Sequence, residues 1–361
     1  MYFAAVQLRK TRLIILWIIL IVIIFYAIAN YFFGTEKFEG LYEKIAKTGV
    51  GRDSNPCNES WSSGNTVWMI ETKYLETVKP LIQCEIESYV KLMPEVCLRL
   101  LLIDPSNNIP QLMSEVHSVL GRDLTSTFHM VHMSAEDLFR DTPIALIWPK
   151  MSGSRFSPVH LAAAARVVLL YKFGGMYTDS DVILMRRPTF GPKFLTRSAS
   201  SPTLMFAIFA HPKHDPLLLS ALEAIAANYE SNAYTGVSIH YHKRVQNFCR
   251  TQCGISQKRL YDNKTSFMCC DMQIVASALG HSGREMSLDQ AEKAGGTFYH
   301  YARSFLCLNH KNKDTDLQVK TSDHHVAQVA RKYCPITVEN HSNFVISCEN
   351  LGKNGFRGEK P

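Results

Sequence analysis

The sequence predicts an α/β fold in which a parallel sheet carries helices on both faces, behind an N-terminal transmembrane helix. Short apolar runs typical of buried strands alternate with segments that have the spacing of helices. With 361 residues, 46% of them hydrophobic, the chain has enough apolar material for one large core or two domains. The alternation of strand and helix favours a parallel, doubly covered sheet. In such sheets ligands bind at the carboxyl ends of the strands, where the strand order switches.

The expected elements of the first half follow from apolar spacing and from stop signals. Gly121 and Pro94 mark the ends of two helices, and Ser134 can cap a short third one. In chain order the elements are a strand at 66–71 (TVWMIE), a helix at 78–92, a strand at 97–104 (CLRLLLID), a helix at 111–120, a strand at 125–131 and a short helix within 134–141.

The clearest helix is expected at residues 159–173, VHLAAAARVVLLYKF, because four consecutive alanines favour a helix. Gly174 and Gly175 end it, since glycine accepts the left-handed turn that follows many helices. A strand begins at Met176, and Asp179 and Asp181 lie at its far end. The acid pair is therefore expected at a strand terminus, where a ligand would bind.

The N-terminal segment predicts a membrane anchor. Residues 13–33 carry no charge and are long enough to cross a bilayer as a helix, and basic residues precede them. By the positive-inside rule, residues 1–12 form a cytoplasmic tail, 34–64 a lumenal stem and 65–361 a lumenal domain. A cleaved signal peptide is the alternative, although the apolar run is long for one and no typical cleavage site follows it.

Cysteines and sequons agree with a lumenal body. All ten cysteines follow the apolar segment, and most are expected to pair in an oxidising compartment. Metal thiolates at Cys249 and Cys253, or at the doublet 269–270, are a weaker alternative, because no second C-x-x-C with zinc spacing occurs. N-x-S/T sequons lie at Asn58, Asn263 and Asn340. The formal charge of +7 shows no basic run with interleaved aromatic residues, which argues against nucleic-acid binding.

The two aspartates suggest a divalent metal. Residues i and i+2 of an extended chain share a face, so Asp179 and Asp181 are expected to point together. Hard cations such as Mg²⁺ or Mn²⁺ prefer oxygen ligands and often combine one or two carboxylates with substrate phosphates. A lumenal enzyme that handles a nucleoside diphosphate points to sugar transfer; hydrolysis of a phosphoester and a solvated turn with two ordinary aspartates remain open.

The stretch 166–181, RVVLLYKFGGMYTDSD, resembles the donor-site signature R-x-x-x-L-x-x-x-G-G-x-Y-x-D-x-D of the α-1,4-glycosyltransferase family typified by lactosylceramide 4-alpha-galactosyltransferase. The yeast initiating mannosyltransferases share a similar block. The resemblance extends over nearly all of the lumenal part, in blocks at 68–72 (WMIET), 84–88 (CEIES), 137–143 (DLFRDTP) and 331–335 (RKYCP).

The resemblance implies a GT-A fold, a Rossmann-like nucleotide-sugar domain, in a type II Golgi membrane enzyme that uses a UDP-sugar and Mn²⁺. The product would be an α-1,4 linkage with retained configuration, on a glycosphingolipid acceptor such as lactosylceramide. Asp179 and Asp181 would hold the metal and UDP, Arg166 would reach the donor, and Tyr177 would shape the pocket. Gly174 and Gly175 belong to the same donor block.

The sequence departs from the family pattern in four places. The family's S-D upstream of the donor arginine is replaced by Ala162-Ala163, its N-G-A block by residues 204–206 before His214, and its G-P segment by Gly236-Val237. The metal histidine of its C-terminal block is also missing, since residues 306–307 (Leu-Cys) occupy that place. His310 is the favoured substitute and His300 the alternative.

The chemistry and the acceptor stay open at this level. Retention through a carboxylate nucleophile would need an acid such as Asp262, Asp271 or Asp289, whereas front-face attack needs only metal and positive charge on the leaving group. Phe190, Phe194, Phe206 and Phe209 would contact a lipid headgroup or, more commonly for Phe, the core. The alternatives are an α-1,4-N-acetylglucosaminyltransferase acting on O-glycans, or a catalytically silent relative. A silent relative would bind metal and nucleotide or act as the partner of another transferase. The resemblance also implies homo- or hetero-oligomers with other glycosyltransferases as partners of this protein.

Overall fold

The computed structural model describes residues 57, 65–198, 204–260, 266–279, 288–289, 297–300, 317–322 and 324–346. The chain divides into two units, Met1–Arg52 and Asp53–Pro361. The expected cytoplasmic tail, the membrane anchor and all of the stem except Cys57 lie outside the described residues. Within the described part, no helix combines the length and the apolar character that crossing a bilayer requires.

Strands and helices alternate through the first half, as the apolar spacing predicts. The elements are β1 (Thr66–Glu71), α1 (Pro80–Leu92), β2 (Cys97–Leu102), α2 (Ile109–Leu120), β3 (Phe128–His132), α3 (Ala135–Phe139), a 3-10 turn (Pro143–Leu146), α4 (Trp148–Ser152), α5 (Ser157–Phe173) and β4 (Gly175–Thr178). The strand at β1 has its expected bounds, and the other elements shift by a few residues at their ends.

The second half mixes short strands with helices. Its described elements are β5 (Val182–Leu184), β6 (Phe194–Ser198), β7 (Leu204–His211), α6 (Pro216–Asn228), α7 (Ser238–Thr251), α8 (Gln257–Leu260), β8 (Phe267–Cys269), β9 (Met272–Leu279), β10 (Phe298–His300), β11 (Leu317–Gln318), α9 (His325–Tyr333), α10 (Pro335–Asn340) and β12 (Val345–Ile346).

One large sheet, with the order β3-β2-β1-β4-β7-β6-β9-β10-β5, organises the described residues; β8 pairs with β9, and β11 and β12 form a separate pair. The strands β3, β2, β1 and β4 are parallel, as the sequence predicts. From β7 onward the sheet is mixed, with antiparallel pairs at β4–β7, β6–β7 and β10–β5. The expectation of a wholly parallel sheet is therefore wrong for the second half. Five residues join β6 to β7, and such a short connection allows only an antiparallel return.

The parallel half is covered on both faces. Val67 and Met69 of β1 join the apolar cluster formed with α1 and α2, whereas Trp68 lies on the opposite face with its ring 5.6 Å from that of Phe173 in α5. Alternate residues of a strand point to opposite faces, so β1 is buried on both sides. All three β1 side chains are at most 2% exposed.

The sheet curls strongly near β4. Strand β5 lies at the far end of the hydrogen-bonded order, yet only three residues separate it from β4. An extended chain advances at most about 3.6 Å per residue, so the start of β5 lies within about 15 Å of the end of β4. Helix α1 covers both strands: Tyr89 donates to Thr178 Oγ1 at 2.8 Å, and the amide of Leu184 donates to Ser88 Oγ at 3.1 Å.

Disulfides and a buried carboxylate tie distant segments together. The pairs are Cys57–Cys97, Cys84–Cys334, Cys249–Cys269 and Cys253–Cys270, and the other two cysteines lie outside the described residues. The expectation that most cysteines pair is confirmed. Next to Cys84, the buried side chain of Glu87 accepts hydrogen bonds from the amides of Ile336 and Thr337, which caps α10. The disulfides are typical of proteins of the secretory pathway.

Candidate functional site

The acid pair lies where the order of the parallel strands switches. The chain runs from β1 outward to β2 and β3 and then returns to place β4 on the other side of β1. Asp179 directly follows β4, and Glu71 ends the neighbouring β1. The two strand ends are linked, because Ser180 Oγ donates to Glu71 Oε1 at 2.9 Å. Crevices at such switch points are the usual ligand sites of open α/β sheets.

The backbone at the pair differs from the sequence-based expectation. Strand β4 ends at Thr178, and Ser180 and Asp181 form a turn before β5. The chain is therefore not extended between the two aspartates, and strand alternation does not set the directions of their side chains. The amide of Asp179 still donates to the carbonyl of Ala207 in β7 at 2.7 Å, which fixes the start of the turn.

Arg166 brings the elements of the site together. From α5 its Nη1 lies 3.1 Å from Asp179 Oδ1 and donates at 3.0 Å to the carbonyl of Phe206 in β7. Its Nε donates to the carbonyl of Ala162, one turn earlier in α5. The side chains of Arg166 and Asp179 are 15% and 23% exposed, so this ion pair is only partly screened by water.

Tyr177 contacts both Arg166 and Asp179. Its hydroxyl donates to Asp179 Oδ1 at 2.7 Å, and its ring lies under the guanidinium of Arg166, 5.1 Å from Cζ to the ring centroid. Burial raises the pKa of the Tyr177 hydroxyl well above its usual value, although the positive charge of Arg166 lowers it. The hydroxyl therefore stays protonated and acts as a hydrogen-bond donor to the carboxylate.

The electrostatics of the cluster favour a fully charged arginine. Burial by itself would lower the pKa of Arg166, but the negative charges of Asp179 and Asp181 and the hydrogen bond to Asp179 outweigh it, and the pKa of Arg166 is raised. Asp181 thus acts on the same guanidinium as Asp179 does. Two carboxylates and one guanidinium leave a net negative charge, which attracts a cation.

Gly174 and Gly175 lie at the opposite end of β4 from the aspartates. Gly174 has a φ of +70°, and a Cβ there would lie 2.7 Å from the amide nitrogen of Lys213. Gly175 has a φ of +96°, and a Cβ there would lie 2.4 Å from the carbonyl oxygen of Thr66. Both glycines are therefore needed for the turn from α5 into β4, and their contribution to donor binding stays a prediction.

Of the two histidines expected near the metal, the structure describes only His300. His310, together with Leu306 and Cys307, lies outside the described residues. His300 ends β10, where its backbone pairs with Val182, the residue after Asp181. Within the described ranges, no group of three His, Cys, Asp or Glu side chains is close enough to hold a metal ion.

Of the remaining candidate residues, three phenylalanines pack in the core and two aspartates are exposed. Phe194 and Phe209 are fully buried, and Phe190 packs on Phe194 with ring centroids 5.0 Å apart, so the core interpretation holds for these three. The side chain of Asp271 is 68% exposed and pairs with Lys193. Asp289 is exposed, and Asp262 lies outside the described residues.

Some contributors to the site had no signal in the sequence. The carbonyls of Phe206 and Ala162 hold Arg166, and a backbone carbonyl leaves no trace in residue identity. Burial raises the pKa of the Tyr234 hydroxyl, and the charge of Arg166 lowers it. Glu71 is the one of these contributors that the sequence could have indicated. It is a polar residue at the end of the first strand, and such a residue at a switch point is expected to face the ligand.

Comparison with known proteins finds one family model that matches the segment around the acid pair. Residues 80–199 match the family described as a glycosyltransferase sugar-binding region containing a DXD motif. Asp179-Ser180-Asp181 is the D-x-D of that segment. Residues 80–199 are therefore similar to the sugar-binding region of DXD-containing glycosyltransferases.

Two curated relatives and one solved structure are similar to larger parts of the chain. Lactosylceramide 4-alpha-galactosyltransferase of Mus musculus is 30% identical over 131 residues, which is 35% of either protein. Alpha-1,4-N-acetylglucosaminyltransferase of Homo sapiens is 25% identical over 154 residues, 42% of this chain and 45% of the relative. A structure of the galactosyltransferase LgtC with donor and acceptor sugar analogues aligns with 76% of this chain and 95% of its own, at 9% identity and a TM-score of 0.35. The matched parts span less than half the length of the two curated relatives, the galactosyltransferase and the N-acetylglucosaminyltransferase.

Proposed function

We propose that this protein is a retaining α-1,4-glycosyltransferase of GT-A fold that transfers galactose or an N-acetylhexosamine from a UDP-sugar. The acceptor is a glycosphingolipid such as lactosylceramide. One observation carries the proposal: Arg166, Tyr177 and the D-x-D carboxylates form a single charged cluster at the switch point of the sheet. The names of the relatives at 30% and 25% identity support the type of linkage.

The donor set fits a hard divalent cation. Carboxylate oxygens from Asp179 and Asp181 suit Mg²⁺ or Mn²⁺, which take their remaining ligands from water and substrate phosphates. We assign Mn²⁺ to these two residues, with His310 or His300 as a third ligand. The register of β10 supports His300, because its backbone lies opposite Val182. When bound, the metal supplies positive charge to the diphosphate leaving group.

The residues of the chain supply position and electrostatics. Arg166 is fixed by two backbone carbonyls and by the ring of Tyr177, so its charge is held in place before a substrate arrives. A preorganised guanidinium next to the D-x-D stabilises the negative charge of a diphosphate without further rearrangement. Tyr177, by donating to Asp179, keeps that carboxylate aligned.

The location we propose is the Golgi membrane, with residues 13–33 as a type II signal anchor and the catalytic domain in the lumen. The four disulfides support a secretory compartment. Tethering near the bilayer would bring the site close to a glycolipid acceptor.

An N-acetylglucosaminyltransferase is the second candidate, and its support is the similarity to alpha-1,4-N-acetylglucosaminyltransferase. A silent relative is the third. Its support is that the half-buried positions 162 and 163, next to Arg166, carry only methyl groups and offer a sugar no side-chain hydrogen bond.

The experiment measures Mn²⁺-dependent hydrolysis of UDP-galactose and UDP-N-acetylglucosamine by the purified full-length chain, followed by transfer to lactosylceramide. We expect Asp181→Asn to abolish turnover and metal-dependent UDP binding. Asp123→Asn is the matched control, because Asp123 is exposed in the loop before β3, at the opposite edge of the sheet.

Each outcome separates the candidates. Hydrolysis that survives Asp181→Asn would refute the metal role of the pair. Metal-dependent UDP binding without turnover on either donor would favour the silent relative. The Mn²⁺ affinities of His300→Ala and His310→Ala are then compared. The histidine whose replacement weakens Mn²⁺ binding more is the third ligand.

A further inference from the structure

Four cysteines lie together where helix α7 meets the hairpin formed by β8 and β9. Cys249 is in the last part of α7, and Cys253 follows it by four residues. Cys269 ends β8, and Cys270 is in the turn that leads into β9. The disulfides join Cys249 to Cys269 and Cys253 to Cys270. Neither pair has a role in the charged cluster described above.

The two disulfides lie side by side. The Sγ atom of Cys253 is 3.5 Å from the Sγ atom of Cys269, although the two sulfurs belong to different disulfides. Reacting atoms at about 3–3.5 Å are already at near-attack distance. Since a disulfide bond is about 2.05 Å long, a shift of about 1.5 Å would join these two sulfurs. The cluster therefore offers a second pairing, Cys253 with Cys269.

The two disulfides differ in their exposure to solvent. Cys270 is exposed and Cys253 is half-buried, whereas Cys249 and Cys269 are each 0% exposed. A thiolate from solution attacks a sulfur that it can reach, and the exposed disulfides of proteins are the labile ones. An external thiol therefore reaches the Cys253–Cys270 pair first, and burial shields the Cys249–Cys269 pair.

Backbone contacts also hold the four cysteines close to one another. The amide of Ile255 donates to the carbonyl of Cys249 at 2.9 Å, which holds the loop after α7 against the end of the helix. Strands β8 and β9 form an antiparallel pair that positions Cys269 and the turn after it. The approach of Cys253 to Cys269 therefore does not depend on the Cys253–Cys270 disulfide alone.

We propose that these four cysteines form a thiol–disulfide exchange site whose substrate is an external dithiol. One thiolate of the dithiol attacks Cys270 Sγ, which forms a mixed disulfide and releases Cys253 as a thiolate. The Cys253 thiolate attacks Cys269 Sγ, which forms the Cys253–Cys269 disulfide and releases Cys249 as a thiolate. The second thiol of the dithiol then displaces Cys270 from the mixed disulfide.

The exchange balances in atoms and electrons. The dithiol loses two electrons and two protons and becomes a disulfide. The protein gains them, so that Cys249 and Cys270 end as thiols. The disulfide that remains in the cluster joins Cys253 to Cys269.

The exchange changes how helix α7 is attached. In the structure, the Cys249–Cys269 disulfide ties the end of α7 itself to β8, whereas the exchanged pair would tie only the loop that follows the helix. About two turns earlier in α7, the ring of Tyr241 lies 4.1 Å from that of Phe206. The carbonyl of Phe206 accepts the hydrogen bond from Arg166. The exchange site is thus on a helix that contacts the charged cluster through one residue.

Tryptic peptides distinguish the two pairings, because trypsin separates Cys249 from Cys253. Cys249 lies in residues 245–250, Cys253 in residues 251–258, and both remaining cysteines of the cluster in residues 265–284. The purified full-length chain is treated with limiting dithiothreitol, and its thiols are blocked with N-ethylmaleimide. It is then digested without reduction, and mass spectrometry identifies the linked and the blocked peptides.

We expect residues 251–258 to stay linked to residues 265–284, while residues 245–250 carry the blocking group. Simple reduction of the exposed disulfide gives the opposite pattern, in which residues 245–250 stay linked and residues 251–258 are blocked. That pattern overturns the proposal, as does blocking of both peptides together.

Cys253→Ser is the matched variant, because it removes the sulfur that carries the exchange. Cys269 and Cys270 cannot pair in its place, since consecutive Cα atoms are about 3.8 Å apart and a disulfide usually needs about 4.4–6.8 Å. We expect the variant to release residues 245–250 at least about tenfold more slowly than the wild type. Equal release would mean that the reagent attacks the Cys249–Cys269 disulfide directly, and the exchange would be refuted.

The other two described disulfides are internal controls. The cysteines of the pairs Cys57–Cys97 and Cys84–Cys334 are at most 7% exposed, and both pairs should stay intact under the same treatment. Intact control pairs show that the chain stays folded while the cluster reacts. Opening of either control pair before the cluster reacts would contradict the proposal.

Discussion

Loss of the guanidinium of Arg166 should destabilise the protein because it leaves Asp179 without its cation. In Arg166→Met the apolar stem is retained, while the contact of 3.1 Å to Asp179 and the bonds to two carbonyls are lost. Removing one partner of a buried ion pair costs about 3–5 kcal/mol. Since the Asp179 side chain is 23% exposed, we expect the lower end, about 3 kcal/mol of unfolding free energy.

A double-mutant cycle with Asp179→Asn isolates the pairwise contribution. The Asp179→Asn variant leaves Arg166 bonded to the carbonyls of Phe206 and Ala162, so it should cost less than Arg166→Met. The double variant removes both charges of the Arg166–Asp179 pair, and we expect a coupling energy of about 1–3 kcal/mol. Arg187→Met is the control, because the Arg187–Glu95 pair is 61% and 45% exposed and should contribute under about 1 kcal/mol.

The assay is urea denaturation with the disulfides intact, followed by the fluorescence of the buried Trp68 and its neighbours. The midpoint should fall in Arg166→Met while the slope stays unchanged. Single-variant effects that add to within about 0.5 kcal/mol would refute the pairing on which the site is built.

Two further predictions concern the backbone and pH. Gly175→Ala should destabilise by more than about 4 kcal/mol, because the new Cβ meets the carbonyl of Thr66 at 2.4 Å; Gly121→Ala, with a φ of +83° and open space, should cost only the strain of about 1–3 kcal/mol. Equal losses in urea denaturation would contradict the steric argument. The folded-state pKa of His242 is about 4 and the unfolded value is 6.5, so its contribution to stability is complete above pH 6.5 and falls as the pH drops toward 4. His242→Phe should reduce that loss by about 1–3 kcal/mol after allowance for partial exposure, and denaturation curves with the same pH dependence as the wild type would refute this.

Local patterns were enough to predict the first half of the fold. The apolar run of β1, the alanine-rich α5 and the cap at Ser134, whose hydroxyl accepts from the amide of Asp137, all lie where the sequence indicates. These features depend on neighbours in the chain, on side-chain periodicity and on hydrogen bonds between residues three or four apart. The same locality let the D-x-D be placed at the end of β4.

The second half was not predictable in the same way. Strand direction from β7 to β10 depends on which distant strands meet, and β6 pairs in parallel with β9, more than seventy residues later in the chain. Pairing of this kind is decided by burial of the whole sheet and not by any short pattern.

The sequence by itself determined the elements around the acid pair and the residue types that attract a cation. The elements follow from the spacing of apolar residues along the chain, and the attraction of a cation follows from the carboxylate side chains. Only the tertiary structure decided that Arg166 pairs with Asp179, that the carbonyl of Phe206 accepts a hydrogen bond from Arg166, and that the ring of His242 packs against Phe206. Those contacts join residues on α5, β7 and α7. Their distances exist only once the curled sheet has brought these elements together, because backbone carbonyls and long-range contacts leave no local signal in the order of residues.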